Sequence, residues 1–335
     1  MRSRTTILFM LLSFVALAMF IVDIAVGSVN LSLDAIWGVL TGTTTQSAIR
    51  SIVIDIRLVK AIMAILAGAA LSLSGLQMQT LFRNPLAGPY ILGVSAGASF
   101  GVALFLLGAP LFAISSTTLV TAVGTAGAAW IGAAAVLVLI IALSRRIKDI
   151  MVILILGMML SSALGAVVEI LQYLSDEAAL KSFVVWTMGS LGDITLSQLS
   201  FIAPIIIIGI ALAVLTIKPL NILLLGESYA ITSGVNISKV RRYVFLSTTL
   251  LAGTVTAFCG PIGFVGIAAP HLARMLYRTA DHRILIPASA IIGALMMLTG
   301  DIIAKLLLLP INTITALMGI PVVVYIVTRN RNLMQ

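Results

Sequence analysis

Apolar residues in this chain run in long blocks separated by short polar punctuation, with neither the alternation of a half-buried strand nor the single apolar stripe of a surface helix. From Ile7 to about Val26 only Asp23 carries a charge, and similar blocks recur to the C-terminus. Dividing the chain at its polar and Pro/Gly clusters predicts ten helices, near 6–27, 58–82, 90–108, 117–143, 150–174, 195–217, 240–260, 262–277, 284–309 and 314–328. Several uninterrupted stretches exceed the roughly 18 apolar residues that mark a bilayer-spanning helix. The expectation is an all-α polytopic membrane protein of about ten transmembrane helices, forming one domain over residues 1–335.

Composition sharpens this picture. Of 335 residues 61% are hydrophobic and 9% charged, against roughly 25% charged in soluble domains, so the apolar surface faces lipid. Two arginines before the first block give it the look of a signal peptide. Its apolar core outruns the roughly 7–15 residues of such a signal, which predicts an uncleaved first span. One cysteine, Cys259, and two histidines, His271 and His282, cannot build a disulfide framework or a spaced metal site.

The net charge of +9 is informative through its placement rather than as a sign of nucleic acid. With the N-terminus inside, the inner loops hold Arg2, Arg4, Arg83, Arg145, Arg146, Lys148, Lys218, Lys239, Arg241, Arg242, Arg274, Arg278, Arg283, Arg329 and Arg331, fifteen of the twenty basic residues. Arg50, Arg57, Lys60, Lys181 and Lys305 fall outside, a distribution that obeys the positive-inside rule. "FRNPLAGP" at 82–89 is then an inner turn, since Pro85 and Pro89 cannot continue a helix. Beyond it Gly93, Gly97 and Gly101, with Ser95 and Ser99, form a row of small residues that lets helix backbones approach closely.

Sliding the chain by 185 positions aligns Arg57 with Arg242, Leu66–Gly68 with Leu251–Gly253, Gly75 with Gly260 and Pro85 with Pro270, with seven identities in 29 positions. Five spans separate the copies, so this internal repeat would be inverted. Motifs for enzymatic chemistry are missing: there is no phosphate-binding G-x-x-x-x-G-K-[ST] loop, no H-E-x-x-H and no convincing nucleophile with a base, and neither catalytic nor metal-ligating residues are assigned. Glu169 and Asp301 lie well inside spans, with Asp23 near the outer end of the first; intramembrane carboxylates either serve ion coupling or bond to neighbouring helices.

Two further segments stand out. The longest inner loop, "KPLNILLLGESYAITSGVNISKVRR" at 218–242, reads as two short amphipathic helices broken at Gly226–Glu227 and at Gly234. It is either an interfacial segment against headgroups or a docking surface for a cytoplasmic partner. "GPIGFVGIAAPHLARML" at 260–276 breaks a helix at membrane depth, which is tolerated only where the backbone is buried in protein or faces water.

These segments, together with "RLVKAIMAILAGAALSLSGLQMQTLFRNPLAGPYILGVSAGAS", "LLLGESYAITSGV" and "LPINTITALMGIPVVVYIV", resemble the permease family of iron-chelate and vitamin B12 ABC importers over nearly the whole chain after about residue 50. The resemblance implies a multi-pass protein of the bacterial inner (plasma) membrane with both termini cytoplasmic. It also implies a second permease copy as partner in a homodimer, two ATP-binding subunits below and a periplasmic or lipid-anchored binding protein above. No cofactor is bound directly; ATP and Mg belong to the partner ATPase. By the same resemblance Leu225, Gly226, Glu227, Ala230 and Gly234 couple to the ATPase, and Asn84 and Leu86 narrow a cytoplasmic gate. Arg57, Lys60 and Lys305 meet carboxylates of the binding protein, with lysine standing where the family has arginine at Lys60 and Lys305. The expected function is import of an iron chelate (ferric siderophore or haem) or cobalamin, with no enzymatic activity in this chain. A gradient-driven secondary carrier using Glu169 and Asp301 is the competing reading, and a hydrolase using His271 a remote third.

Overall fold

The computed structural model describes residues 2–27, 29, 31–43, 47–108, 118–147 and 149–330. Lys148 and Arg331, counted above among the inner basic residues, lie outside the described residues, as do the side chains of Arg2 and Arg329. No strand occurs among the described residues. Ten helical segments match the ten predicted blocks: α1 (Arg2–Ala25), α4 (Val59–Leu81), α5 (Val94–Leu106), α6 (Thr118–Arg146), α7 (Ile150–Leu174), α9 (Leu196–Leu215), α12 with α13 (Ile237–Thr248, Thr254–Cys259), α14 (Val265–Tyr277), α15 (His282–Leu307) and α16 (Ile311–Asn330). Shorter pieces complete the chain: α2 (Leu33–Leu40), α3 (Ser47–Ser51), α8 (Glu177–Thr187), α10 (Ile217–Leu223) and α11 (Glu227–Thr232). Six of the segments are long and apolar enough to cross a membrane unaided, while α5 and the apolar part of α16 are shorter.

The centre of the bundle is α4, buried at nineteen of its 23 positions. A helix enclosed all round needs no lipid-facing surface, so it can carry Ser72, Ser74, Gln77, Gln79 and Thr80, provided each polar group finds a partner. Gln77 does so twice: its Nε2 donates to Thr216 Oγ1 at 3.1 Å, and its Oε1 accepts from Ser247 Oγ at 3.0 Å, tying α4 to the end of α9 and to α12. Close packing rests on missing side chains. A methyl at Gly68 would collide with the Gly293 carbonyl of α15, and one at Gly75 with the Gly266 carbonyl of α14. The Gly97/Gly101 row likewise packs on α6, where the carbonyls of Gly132 and Ala128 occupy the space a Cβ would need.

The break at membrane depth lies inside protein. Gly260 and Phe264 adopt left-handed φ values of 73° and 64°, and the backbone groups released there are taken up by neighbours. Gly263 N donates to Asn312 Oδ1 at 2.9 Å, Ser190 N to Cys259 O at 2.8 Å, and Tyr90 OH to Ile262 O at 2.8 Å.

A long helix, a break, a 13-residue helix and another long helix occur twice, as α4–α5–α6 and as α12/α13–α14–α15. The residue pairing at an offset of 185 does not extend through the break: Pro85 sits in a turn, whereas Pro270 lies inside α14. The two leading helices run oppositely. The first ends beside Leu223, as Arg83 Nη2 donates to the Leu223 carbonyl just past its C-terminus, while α12 begins beside Glu227 and runs away from it.

Candidate functional site

The candidate residues gather at opposite ends of the bundle. At one end the C-termini of α1 and α15 meet the N-terminus of α4. Lys305 Nζ lies 2.9 Å from Asp23 and 2.8 Å from Asp301, and Lys60 Nζ lies 3.0 Å from Asp301. Lys305, Asp23 and Asp301 are almost fully enclosed, while the Lys60 side chain keeps about a fifth of its surface. Arg57 sits nearby in a π-helical turn, Ile52–Leu58, with its guanidinium folded onto the end of α1. It donates to the carbonyls of Ile24 (3.0 Å), Ala25 (2.9 Å) and Val29. The first two are unsatisfied acceptors at the C-terminus of α1, where a cation is favoured.

The three side chains expected to reach a binding protein differ in exposure. All three are bonded within their own chain and line one cleft of about 430 Å³ with Ser190, Asp301 and an exposed rim of Leu308 and Leu309; Arg57 and Lys305 are nearly enclosed, while Lys60 keeps more of its surface. The Leu308–Leu309 rim is exposed and apolar, and nothing in the sequence singled it out.

The opposite end carries the 218–242 loop. It folds as the two short helices read from the sequence, α10 and α11, with turns at Leu224–Gly226 and Ser233–Asn236. At 7 and 6 residues and 1.5 Å of rise each, neither approaches the roughly 30 Å of a hydrocarbon core. Gly226 holds φ +121°, a conformation that frees the turn to place Glu227 at the start of α11. Glu227 Oε1 accepts from Arg241 Nη2 of α12 at 3.0 Å. Leu225 is two-thirds exposed, whereas Ala230 is fully buried and seats α11 on its own chain; Gly234 (φ +81°) turns the loop toward α12. Leu224, Tyr229 and Ile231 are also exposed and extend the apolar surface beyond the residues read from sequence.

A second tie fixes this loop. Asn221 of α10 donates from Nδ2 to Asp281 Oδ1 at 2.6 Å, and its Oδ1 accepts from both the backbone N (2.8 Å) and Nδ1 (2.7 Å) of His282. His282 Nε2 lies 2.9 Å from Thr80 Oγ1. Because Asn221 Oδ1 can only accept, the imidazole carries its proton on Nδ1. One buried ring thus joins α10, α15 and α4. Asp281 caps α15, and its bond from Arg283 N, aided by Asn221, holds its carboxyl below the usual carboxylate range.

Between the loop and the bundle lies the turn after α4. Asn84 Oδ1 accepts from Leu86 N at 2.9 Å and fixes the turn, leaving Leu86 40% exposed. His271 Nε2 donates to the Pro85 carbonyl at 2.8 Å, clamping the turn to α14. Cys259 is buried and unpaired, and no group of three or more metal-ligand side chains occurs among the described residues. Asp301 is neutralised by two ammonium groups, whereas Glu169 stands exposed on α7.

Known proteins resemble this chain over nearly its whole length. Residues 14–329 match the FecCD transport family. The chain is 36% identical over 325 residues to the hemin transport system permease protein HmuU of Yersinia pestis, covering 94% of this chain and 95% of that one. It is 34% identical over 312 residues to the molybdate import system permease protein MolB of Haemophilus influenzae, covering 90% and 89%. Among solved structures it is similar, with a TM-score of 0.83 and 30% identity over 96% of this chain and 99% of the other, to "an inward-facing conformation" of a "metal-chelate type ABC transporter".

Proposed function

Because the chain belongs to the FecCD transport family, we propose that it is the membrane-spanning subunit of an ATP-driven importer for an iron chelate, such as a ferric siderophore or haem, or for cobalamin. It works as a pair of identical copies in the bacterial inner membrane, with both termini in the cytoplasm. Two ATPase subunits seat on the loops and a binding protein on the opposite face. The observation that supports this reading best is the double anchoring of the loop: an exposed apolar edge, Leu224 and Leu225, is joined to α12 through Glu227–Arg241 and to α4 and α15 through Asn221–His282.

A surface so fixed transmits displacement. When two ATPases close on ATP, their motion is carried by α10 and α11 into the spans, and the turn at Asn84–Leu86 moves with α4. This chain hydrolyses nothing; its part is to convert that closure into alternate access. Cargo is chosen above the membrane, and the 34% identity to a molybdate permease shows that overall similarity does not rank cargoes.

Vesicles holding the permease with its ATPase provide the test, with binding protein and ferric chelate added on the outer side. Uptake that requires ATP hydrolysis and survives an uncoupler is expected. Uptake without the ATPase, abolished by the uncoupler, would establish the gradient-driven carrier instead.

A further inference from the structure

Beside the docking edge lies a cleft of about 470 Å³ that holds two guanidinium groups, Arg83 and Arg274, and no carboxylate. Its other walls are Pro85, the carbonyl-clamped His271 and the segment Leu223–Gly226. Arg83 follows the last turn of α4 and is exposed; among the described residues its guanidinium bonds to the Leu223 carbonyl alone, at a long 3.4 Å. Arg274, on α14, is half-buried and donates to a neutral amide oxygen, Gln79 Oε1, at 2.5 Å. Neither arginine belongs to an ion pair among the described residues. Glu227 shares a smaller neighbouring cleft with Arg83, but its carboxylate is held by Arg241.

Two positive charges in one cleft whose other polar lining, Gln79, Thr80 and His271, supplies no counter-charge attract an anion strongly once a partner displaces the water. Leu224 and Leu225 form both one wall of this cleft and the exposed edge assigned to the ATPase, so a partner resting on that edge covers the mouth. We infer that the cleft is a receptor for an acidic side chain of the ATPase subunit, with Arg83 as the outer contact and Arg274 as the inner one. The inference rests on the coupling role of the loop. A planar guanidinium fork suits a carboxylate, and this contact would lock the turn after α4 to the ATPase at a point separate from the apolar edge.

The experiment is a titration of labelled ATPase onto permease held in nanodiscs of phosphatidylcholine, with and without phosphatidylglycerol, at several salt concentrations. Arg83→Gln should weaken binding by about tenfold or more and flatten its salt dependence, with Arg83→Lys falling between it and the wild type. Arg274→Gln should act in the same direction; because that residue also holds Gln79, the exposed Arg83 decides the matter if the second variant fails to fold. Wild-type affinity and an unchanged salt slope in Arg83→Gln would overturn the inference while leaving the coupling loop intact. A loss confined to discs containing phosphatidylglycerol would overturn it by assigning the cleft to a lipid phosphate. Failure of the wild-type permease to hold the ATPase at all would overturn both readings.

Discussion

Lys305 and Asp23 stand 282 residues apart in sequence and form an ion pair 2.9 Å long, joining the last turn of α15 to the last turns of α1. Neither side chain is accessible enough for water to replace the partner. Breaking a buried pair by removing one member costs about 3–5 kcal/mol, because the other charge is left behind. Lys305→Met should therefore lower the unfolding temperature in detergent sharply. Adding Asp23→Asn should recover part of the loss, since Lys60 still serves Asp301. An unchanged melting temperature in the single variant would show that the pair does not hold in the assembled protein.

Lys60 occupies the same network with a more exposed flank, so a docking role and a structural role can be told apart by substitution. Lys60→Gln should reduce stimulation of the ATPase by the binding protein, with a shift of about 1 kcal/mol or less in docking, as befits a solvated contact. Lys305→Gln should act mainly on stability. The comparison is read from binding-protein titrations in reconstituted complexes alongside melting curves. Equal docking defects at equal stability would return Lys305 to the docking surface.

Much of the fold was legible because lipid demands long apolar blocks, and loops between them are marked by Pro, Gly and charge. The α10–α11 loop was visible for the same reason: Gly226 and Gly234 punctuate it where positive φ is required. What escaped was short or non-local. Helices α2, α3 and α8 mix polar and apolar residues over at most 11 positions, too few for a periodic signal. The π-helical turns at Ile52–Leu58 and Thr249–Gly253 leave no mark in hydrophobic pattern. The pairing of Lys305 was hidden, because nothing local to it in sequence reveals Asp23. The Asn221–His282–Thr80 tie was equally hidden, although a lone amide in the apolar stretch Leu220–Leu225 is a signal that it has a bonded partner.

Gly75 gives a packing test. A methyl there would meet the Gly266 carbonyl, and backbone cannot step aside as a side-chain tip can. Gly75→Ala should cost about 1–3 kcal/mol or more through overpacking. Gly165, on α7, has open space where its Cβ would stand, so Gly165→Ala should leave stability unchanged or slightly improved. Thermal unfolding of the two variants side by side checks the contrast, and equal effects would contradict the closeness of α4 to α14.

Asp281 predicts an acid limb. Its folded pKa is depressed, first by the bond from Arg283 N and then by Asn221. The stabilisation from this cap is therefore complete above the unfolded value of 3.8 and is lost as pH falls through the lower folded value. Asp281→Asn, a comparable helix cap without the charge, should lower near-neutral stability slightly and flatten the decline below that pH. Melting temperature against pH for both proteins is the measurement; parallel acid limbs would remove Asp281 from the explanation.

The two ties of the loop should fail differently when cut. Glu227→Gln removes the charge that faces Arg241 while leaving α11 its turn at Gly226, so the ATPase still finds the apolar edge of Leu224 and Leu225. Transport should fall while ATP hydrolysis continues, because the loop moves without drawing α12 along. Asn221→Ala instead deletes the acceptor of two His282 bonds and the donor to Asp281, each worth about 1–3 kcal/mol when a buried partner is left unmatched. That variant should lose stability as well as coupling, and Asn221→Asp, which keeps the acceptor toward His282 but sets a second carboxylate against Asp281, should restore only part of each. Uptake per ATP hydrolysed, measured in vesicles at matched permease content, separates the two. If both variants kept the wild-type ratio, force would have to pass from the ATPase to the spans by contacts other than these.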